Sequence, residues 1–264
     1  MNIVWTYWED RPGTPTPPHI LLCREILRHQ CRFCDIRLVT RENIQQFLPA
    51  LDGRVWDITL GNKDQNPIPL RCDFIRAFLL EKYGGMYVDA DCIALKDYAG
   101  MFELAGNHDF FGMRRTTSKT NHVSVGLYGS KPNGQVITAY ARALQNILNK
   151  KTHFNRWAEV GALLITSIVD KYRDQVYLFR ENQIQPVVAE KQHLLSSPSI
   201  DCGALIPSDA YCLMLYHRIF EQDVKGATLK NLSVQNLYNG DYLISKVIRK
   251  AYPVDLFGPV FGVL

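Results

Sequence analysis

Residues 70–97 read LRCDFIRAFLLEKYGGMYVDADCIALKD, and the hydrophobic period changes half-way along the run. Pro69 stands where proline favours a helix start. From there to Tyr83, Phe74, Ile75, Phe78 and Leu79 recur at the spacing of one helical face. Asp73 and Arg76, three apart, share a different face. Gly84 and Gly85 then stop the helix, because a left-handed backbone costs glycine nothing. A strand is expected from Met86. Alternate strand residues share a face, which puts Met86, Val88, Ala90 and Cys92 on one side and Tyr87, Asp89, Asp91 and Ile93 on the other. Two carboxylates on one apolar face repel each other and resist ionisation. A divalent cation relieves both problems, and hard oxygen ligands suit Mn2+ or Mg2+, ions that also bridge carboxylates to phosphates. Asp-x-Asp alone is common in loops and on solvated strands. The helix-borne Asp and Arg, the double glycine and the aromatic strand residue make the longer pattern specific.

Outward from this run, secondary-structure signals alternate. Asn2–Trp8 reads as a first strand, and a proline-rich loop (11–18) leads into a helix over His19–His29. Asp35–Thr40 reads as a strand, Glu42–Phe47 as a short helix, and Gly61–Pro69 as turns. Further strands are expected at Asp109–Met113, Val123–Tyr128, Gln175–Phe179 and Tyr211–Leu215. Helices are expected from residues 131–134 to about Leu148, over Trp157–Tyr172, and over Leu237–Lys250. Alternating elements imply an α/β layer fold with a largely parallel sheet. Nothing in composition splits the chain, so a single domain over 1–264 is expected, with 237–264 as a C-terminal helix and tail.

The run D-x-x-R-x-x-x-L-x-x-x-G-G-x-Y-x-D-x-D resembles the DXD sugar-binding region of retaining glycosyltransferases of the GT-A fold. Initiating mannosyltransferase-like proteins and capsular polysaccharide synthesis proteins belong there, and the opening Trp-Thr-Tyr-Trp-Glu with its proline-rich loop and Cys23 is closest to the capsular group. The resemblance implies a Rossmann-like, mostly parallel central sheet flanked by helices. It also implies transfer of a hexose from a nucleotide sugar, UDP-linked by preference, to a hydroxyl of a glycan acceptor in surface polysaccharide synthesis, with retention of configuration. Residue by residue, Asp89 would meet the ribose and the metal, and Asp91 the metal that holds the diphosphate. Asp73 and Arg76 would bind the donor sugar with Tyr87 beside it, and Arg76 would steady the departing diphosphate. Trp5 would stack on the base, an aromatic face being suited to that; the alternative for Trp5 is a core position. Ala158–Thr166 resembles the family's glycine-bearing segment, so Gly161 would approach the donor or acceptor closely; Glu159 is either a polar group at the reacting carbon or, by preference, a solvent-facing helix residue. His217, after the YCLMLY strand, would be a third metal ligand where the family places a histidine; a structural histidine is the alternative.

The chain's 264 residues suit one good-sized core, with 47% hydrophobic and 21% charged residues. A net charge of +4 with scattered basic residues does not call for a nucleic-acid partner and suits an acidic ligand or an anionic membrane surface. Seven irregularly spaced cysteines, with one isolated C-x-x-C at Cys31 and Cys34, point to reduced thiols rather than a disulfide framework or a zinc finger. MNIVWTYWED carries neither the basic start nor the apolar run of a signal peptide, and the longest uncharged apolar stretch, Val160–Val169, is half a membrane span. A cytoplasmic protein is expected. The end of the chain, SKVIRKAYPVDLFGPVFGVL, joins Lys246, Arg249 and Lys250 to apolar residues and offers peripheral contact with a membrane bearing lipid-linked acceptors. No residue stands out as a covalent nucleophile. Two other classes share the Asp-x-Asp: an aspartate-based phosphatase, disfavoured by Ile93 and the mid-chain position, and a non-catalytic cation- or carbohydrate-binding module.

Overall fold

A computed structural model describes residues 2–11, 13–61, 66–116, 121–223, 225–226 and 228–253. Among them ten strands run in chain order: β1 (Asn2–Tyr7), β2 (Cys34–Val39), β3 (Thr59–Leu60), β4 (Gly85–Val88), β5 (Cys92–Ala94), β6 (Phe110–Met113), β7 (Leu127–Ser130), β8 (His153–Phe154), β9 (Val176–Phe179) and β10 (Cys212–Met214). The chain divides into two compact units. One comprises Met1–Glu9, Asp35–Asp89 and Met101–Phe179, and the other Asp10–Cys34, Ala90–Gly100 and Arg180–Leu264.

The first unit holds a six-stranded sheet in the order β2-β1-β4-β7-β6-β9. β1 runs parallel to β4 with Val4 opposite Met86 and Trp5 opposite Tyr87, and β6 runs parallel to β9. β7 is antiparallel to its neighbours β4 and β6. The expected α/β fold with a mostly parallel sheet is therefore present. Helices Ile68–Tyr83 and Gln135–Leu148 supply Phe74, Ile75, Leu79, Tyr140 and Leu144 to a core shared with Trp5, Tyr87, Phe110 and Tyr128. Burying each large apolar side chain contributes about 1.5–3 kcal/mol. The second unit has its own core, in which Leu22, Ile26, Ile93, Leu213, Leu237 and Val247 pack together around the β5–β10 pair.

Several elements depart from the sequence reading. The strand expected to continue from Met86 through Ile93 is two strands in different sheets, with Asp89, Ala90 and Asp91 between them. The Asp89 N–H donates to Gly126 O at 2.8 Å, whereas the Asp91 carbonyl accepts from Leu215 N at 2.9 Å. Each aspartate thus belongs to a different ladder, and alternation does not carry across Ala90. The helix expected from Trp157 begins at Ala162, after a turn. The expected final helix is two, Val234–Asn239 and Leu243–Ala251, separated at Gly240. Val123 forms only an isolated bridge to Arg114, and the strand proper starts at Leu127.

All seven cysteines carry free thiols. Among the described residues no helix is long and apolar enough to cross a membrane. The apolar end of the suggested membrane tail, residues 254–264, lies outside the described residues. Two of its basic residues have other work. Lys246 Nζ donates to Pro198 O and Ile200 O (2.6 and 3.1 Å), and Arg249 donates to Tyr238 O and Gly240 O.

The helix-stopping glycines have a second reason to be glycine. Gly85 has φ +94°, and a Cβ there would stand 2.5 Å from the carbonyl oxygen of Ile3 on the neighbouring strand. Gly85→Ala is expected to lower stability by about 2 kcal/mol or more, through left-handed strain together with steric conflict against backbone. A urea midpoint equal to that of the parent chain would contradict this close approach.

Candidate active site

In the first unit the helix Ile68–Tyr83 turns Asp73 and Arg76 into the protein, where they are 2% and 4% exposed. The Arg76 guanidinium donates to Asp73 Oδ1 and to Val125 O, and at 3.2 Å to Asp89 Oδ1, just beyond the end of β4. It also lies 5.2 Å from the centroid of the Tyr87 ring, whose hydroxyl sits 2.9 Å from Cys72 Sγ. Burial alone would draw the guanidinium pKa down, but Asp73, Cys72 and Asp89 outweigh it and hold Arg76 charged. Burial pushes the Asp73 carboxyl above the usual range against the pull of Arg76. Gly161 lies against this carboxylate: a Cβ there would be 2.6 Å from Asp73 Oδ2. The Tyr140 hydroxyl fixes the same segment by donating to Val160 O at 2.7 Å. The structure therefore brings Asp73, Arg76, Tyr87, Asp89 and Gly161 together.

Two expected roles fail. Trp5 is fully buried, not displayed to a base. Its ring packs against Phe47 and Tyr83, with centroids 5.4 Å away in both cases, and its Nε1–H donates to Gly84 O at 2.9 Å. It is the core aromatic of the alternative reading. Glu159 is also occupied, accepting from the N–H groups of Asn155 and Arg156 at 3.1 and 3.0 Å and pairing with Lys151 at 2.9 Å. That carboxylate organises its loop.

In the second unit Asp91 precedes β5, and its Oδ2 accepts the backbone N–H of His217 at 2.8 Å. The preceding Tyr216 adopts a left-handed backbone, φ 57°, which is costly for a bulky residue and turns the chain so that this N–H meets the carboxylate. Burial raises the Asp91 pKa, with the His217 N–H pulling the other way. Among the described residues Asp91 has no Lys or Arg ion pair. His217 Nδ1 sits 2.9 Å from His19 Nε2, and His217 Nε2 sits 3.2 Å from Glu221, which pairs with Arg11 at 3.0 Å. His19 is buried and stacked on Phe220 at 3.8 Å, and burial followed by His217 lowers its pKa to about 3.

His19 escaped the sequence reading, as did a second cluster at the end of β1. There Glu9 accepts from the Tyr7 hydroxyl and from Arg71, both at 2.9 Å, and lies 3.5 Å from Arg41. β1 and β4 are parallel, so Tyr7 and Glu9 belong with Asp89 at the carboxyl ends of the strands, where open α/β sheets bind ligands. A glutamate ending the first strand was the one available signal.

Residues 1–197 match the family model described as capsular polysaccharide synthesis protein. The chain belongs to that family. The matched residues include Asp73, Arg76, Asp89, Asp91 and Gly161, and exclude His217. No curated protein matches the sequence. Among solved structures, the glycosyltransferase GlyE of Streptococcus pneumoniae TIGR4 superposes with a TM-score of 0.52 at 14% identity, covering 94% of this chain and 62% of that one. Its apo form gives 0.51 at 14%, covering 97% and 64%. This family member thus has the GT-A glycosyltransferase fold and spans less than two thirds of the GlyE chain.

Among the described residues no three His, Cys, Asp or Glu side chains converge as a ready metal cage. Asp91 nevertheless fits a divalent ion, being a desolvated carboxylate without a Lys or Arg ion pair among the described residues. Mn2+ and Mg2+ take the rest of their ligands from substrate phosphates and water.

The buried ion pair yields a sign-specific test. The folded pKa of Asp73 is raised, so the native state binds its proton more tightly than the unfolded chain and this group's contribution to stability falls as pH rises. Arg76→Met removes the compensating cation. The variant is expected to lose about 3–5 kcal/mol near neutral pH, as broken buried pairs do, and to lose less as the pH falls into the acid range. Urea midpoints across that range check it; a pH-independent difference would contradict it.

Proposed function

We propose that the chain transfers a hexose from a nucleoside diphosphate sugar, UDP-linked, to a glycan hydroxyl in surface polysaccharide synthesis, with retention of configuration. The observation that carries this reading is the held carboxylate Asp89, clamped by the buried Arg76 and followed after one residue by Asp91, a carboxylate with no Lys or Arg pair among the described residues. In this reading Asp91 and His217 hold Mn2+ or Mg2+ while Asp89 reaches the ribose and the ion. The ion, when bound, neutralises charge on the departing diphosphate. His19 keeps the His217 Nδ1 edge occupied, so Nε2 is the nitrogen that can serve as a ligand, with Glu221 giving it up. Gly161 lets the backbone approach the sugar beside Asp73, and the charged Arg76 provides a fixed positive potential at the end of β4. Attack on the same face, assisted by the leaving phosphate, suits a site without an evident nucleophile. A lipid-linked acceptor would bring the protein to the inner face of the membrane. The phosphatase reading loses ground, because Arg76 already holds the carboxylate it would use as nucleophile.

Mn2+-dependent hydrolysis of a panel of nucleotide sugars, read by release of nucleoside diphosphate, tests the proposal. Asp91→Asn is expected to reduce turnover by roughly a hundredfold or more with the circular dichroism spectrum retained. His217→Ala is expected to weaken the apparent Mn2+ affinity by about ten- to a hundredfold. Hydrolysis of every nucleotide sugar at the same rate in the parent chain and the Asp91 variant would sink this reading.

A further inference from the structure

Between β8 and the helix Ala162–Lys171 the chain makes a tight turn that ends on Gly161, the residue lying against Asp73. Four residues before that glycine stands Trp157, 56% exposed. Its ring has no aromatic or cationic partner among the described residues. Leu163, six residues later and 42% exposed, is tied to the same turn by its N–H, which donates to Ala158 O at 3.3 Å. Leaving this indole and Leu163 exposed on one turn forfeits the stabilisation that burial would give, and either a loose loop or a ligand could be the reason.

Looseness of the loop does not supply the reason. Glu159 gathers the N–H groups of Asn155 and Arg156 together with Lys151 Nζ, and Tyr140 holds Val160 O from below. The indole is thus presented on a loop braced from both sides, with the exposed Asn155 and Arg156 beside it. A flat apolar face flanked by hydrogen-bonding side chains is the chemistry that recognises a pyranose ring. The C–H face of the sugar packs on the aromatic ring, and its hydroxyls meet the amide and guanidinium. The segment's other end abuts the carboxylate assigned to the donor sugar, so a saccharide lying on Trp157 would be within a few sugar lengths of that donor.

We propose that Trp157, flanked by Asn155 and Arg156, is the platform that binds the acceptor saccharide. This rests on the glycosyl-transfer reading for its biological sense, but the binding itself can be measured without it. Trp157 is the most exposed of the four tryptophans, so its emission is the fraction most open to acrylamide quenching, and Trp157→Phe isolates that fraction by difference. Methyl hexosides and hexose disaccharides at millimolar concentration serve as probes. At least one is expected to protect the Trp157 emission from acrylamide. With the best protecting sugar as acceptor and an accepted nucleotide sugar as donor, Trp157→Ala is expected to raise the acceptor KM about tenfold and Trp157→Phe by less. Donor KM and nucleotide-sugar hydrolysis stay unchanged in both.

No protection by any probe, or an acceptor KM that Trp157→Ala leaves unchanged, overturns the platform. So does conversion of a dimer to a monomer by Trp157→Ala in analytical ultracentrifugation, which would make the patch a protein interface. Protection by a saccharide in a protein that hydrolyses no nucleotide sugar would instead support the platform while removing the proposed transfer reaction.

Discussion

A guanidinium shut away from water must find acceptors for its fixed fork of donors, and the fold around Arg76 is arranged to supply them. One comes from its own helix, Asp73. A second is Asp89, at the end of the central strand, and the third is the carbonyl of Val125, ahead of the antiparallel strand. Three stretches of chain are thereby tied to one cation, which would be costly to leave unpaired. Its Nε remains without a partner among the described residues, so the satisfaction is incomplete. Such pairs are poor sources of net stability compared with apolar packing. What this one provides is placement: the carboxylate that leaves β4 has one direction to face.

The second unit positions its carboxylate by other means. Among the described residues Asp91 has no Lys or Arg ion pair; it meets a backbone N–H, and that N–H is aimed by a strained residue. Tyr216 can hold a left-handed backbone because its hydroxyl is anchored to Val187 O at 2.8 Å and because the β5–β10 ladder fixes the chain just before it. Strain of this kind persists only where surroundings over-determine it. His217 then emerges at a fixed point, with its ring set between His19 and Glu221.

Local chemistry made the helix Ile68–Tyr83 and its stop legible, because Gly84 and Gly85 do take positive φ, 66° and 94°. It also made the parallel sheet legible, since alternating strands and helices leave few other arrangements. The break at Asp89–Asp91 was not legible. It arises because Cys92–Ala94 pairs with Cys212–Met214, some 120 residues downstream, and no local period records such a partner. Trp5 illustrates a different limit: an aromatic residue in a first strand has the same sequence signature whether it faces a ligand or a core. The bracing of Arg76, Glu9 and His217 depends on side chains that meet only after folding. Arg76 was flagged by its spacing from Asp73 and Glu9 closed the first strand's motif without a role attached, while His19 carried no pattern of its own.

The two aspartates that looked equivalent in the sequence are electrostatically distinct. In the first unit Asp73, Arg76 and Asp89 together carry one formal negative charge, already spread by hydrogen bonds to a fixed cation. In the second, Asp91 carries another, with burial opposing its ionisation and one N–H favouring it. A divalent ion held at Asp91 would keep coordination positions that suit the oxygens of a diphosphate. That difference also assigns the labour within the proposed reaction. The carboxylate already committed to arginine is suited to orient a neutral hydroxyl such as a ribose. The one without a Lys or Arg pair among the described residues gains most from binding a metal.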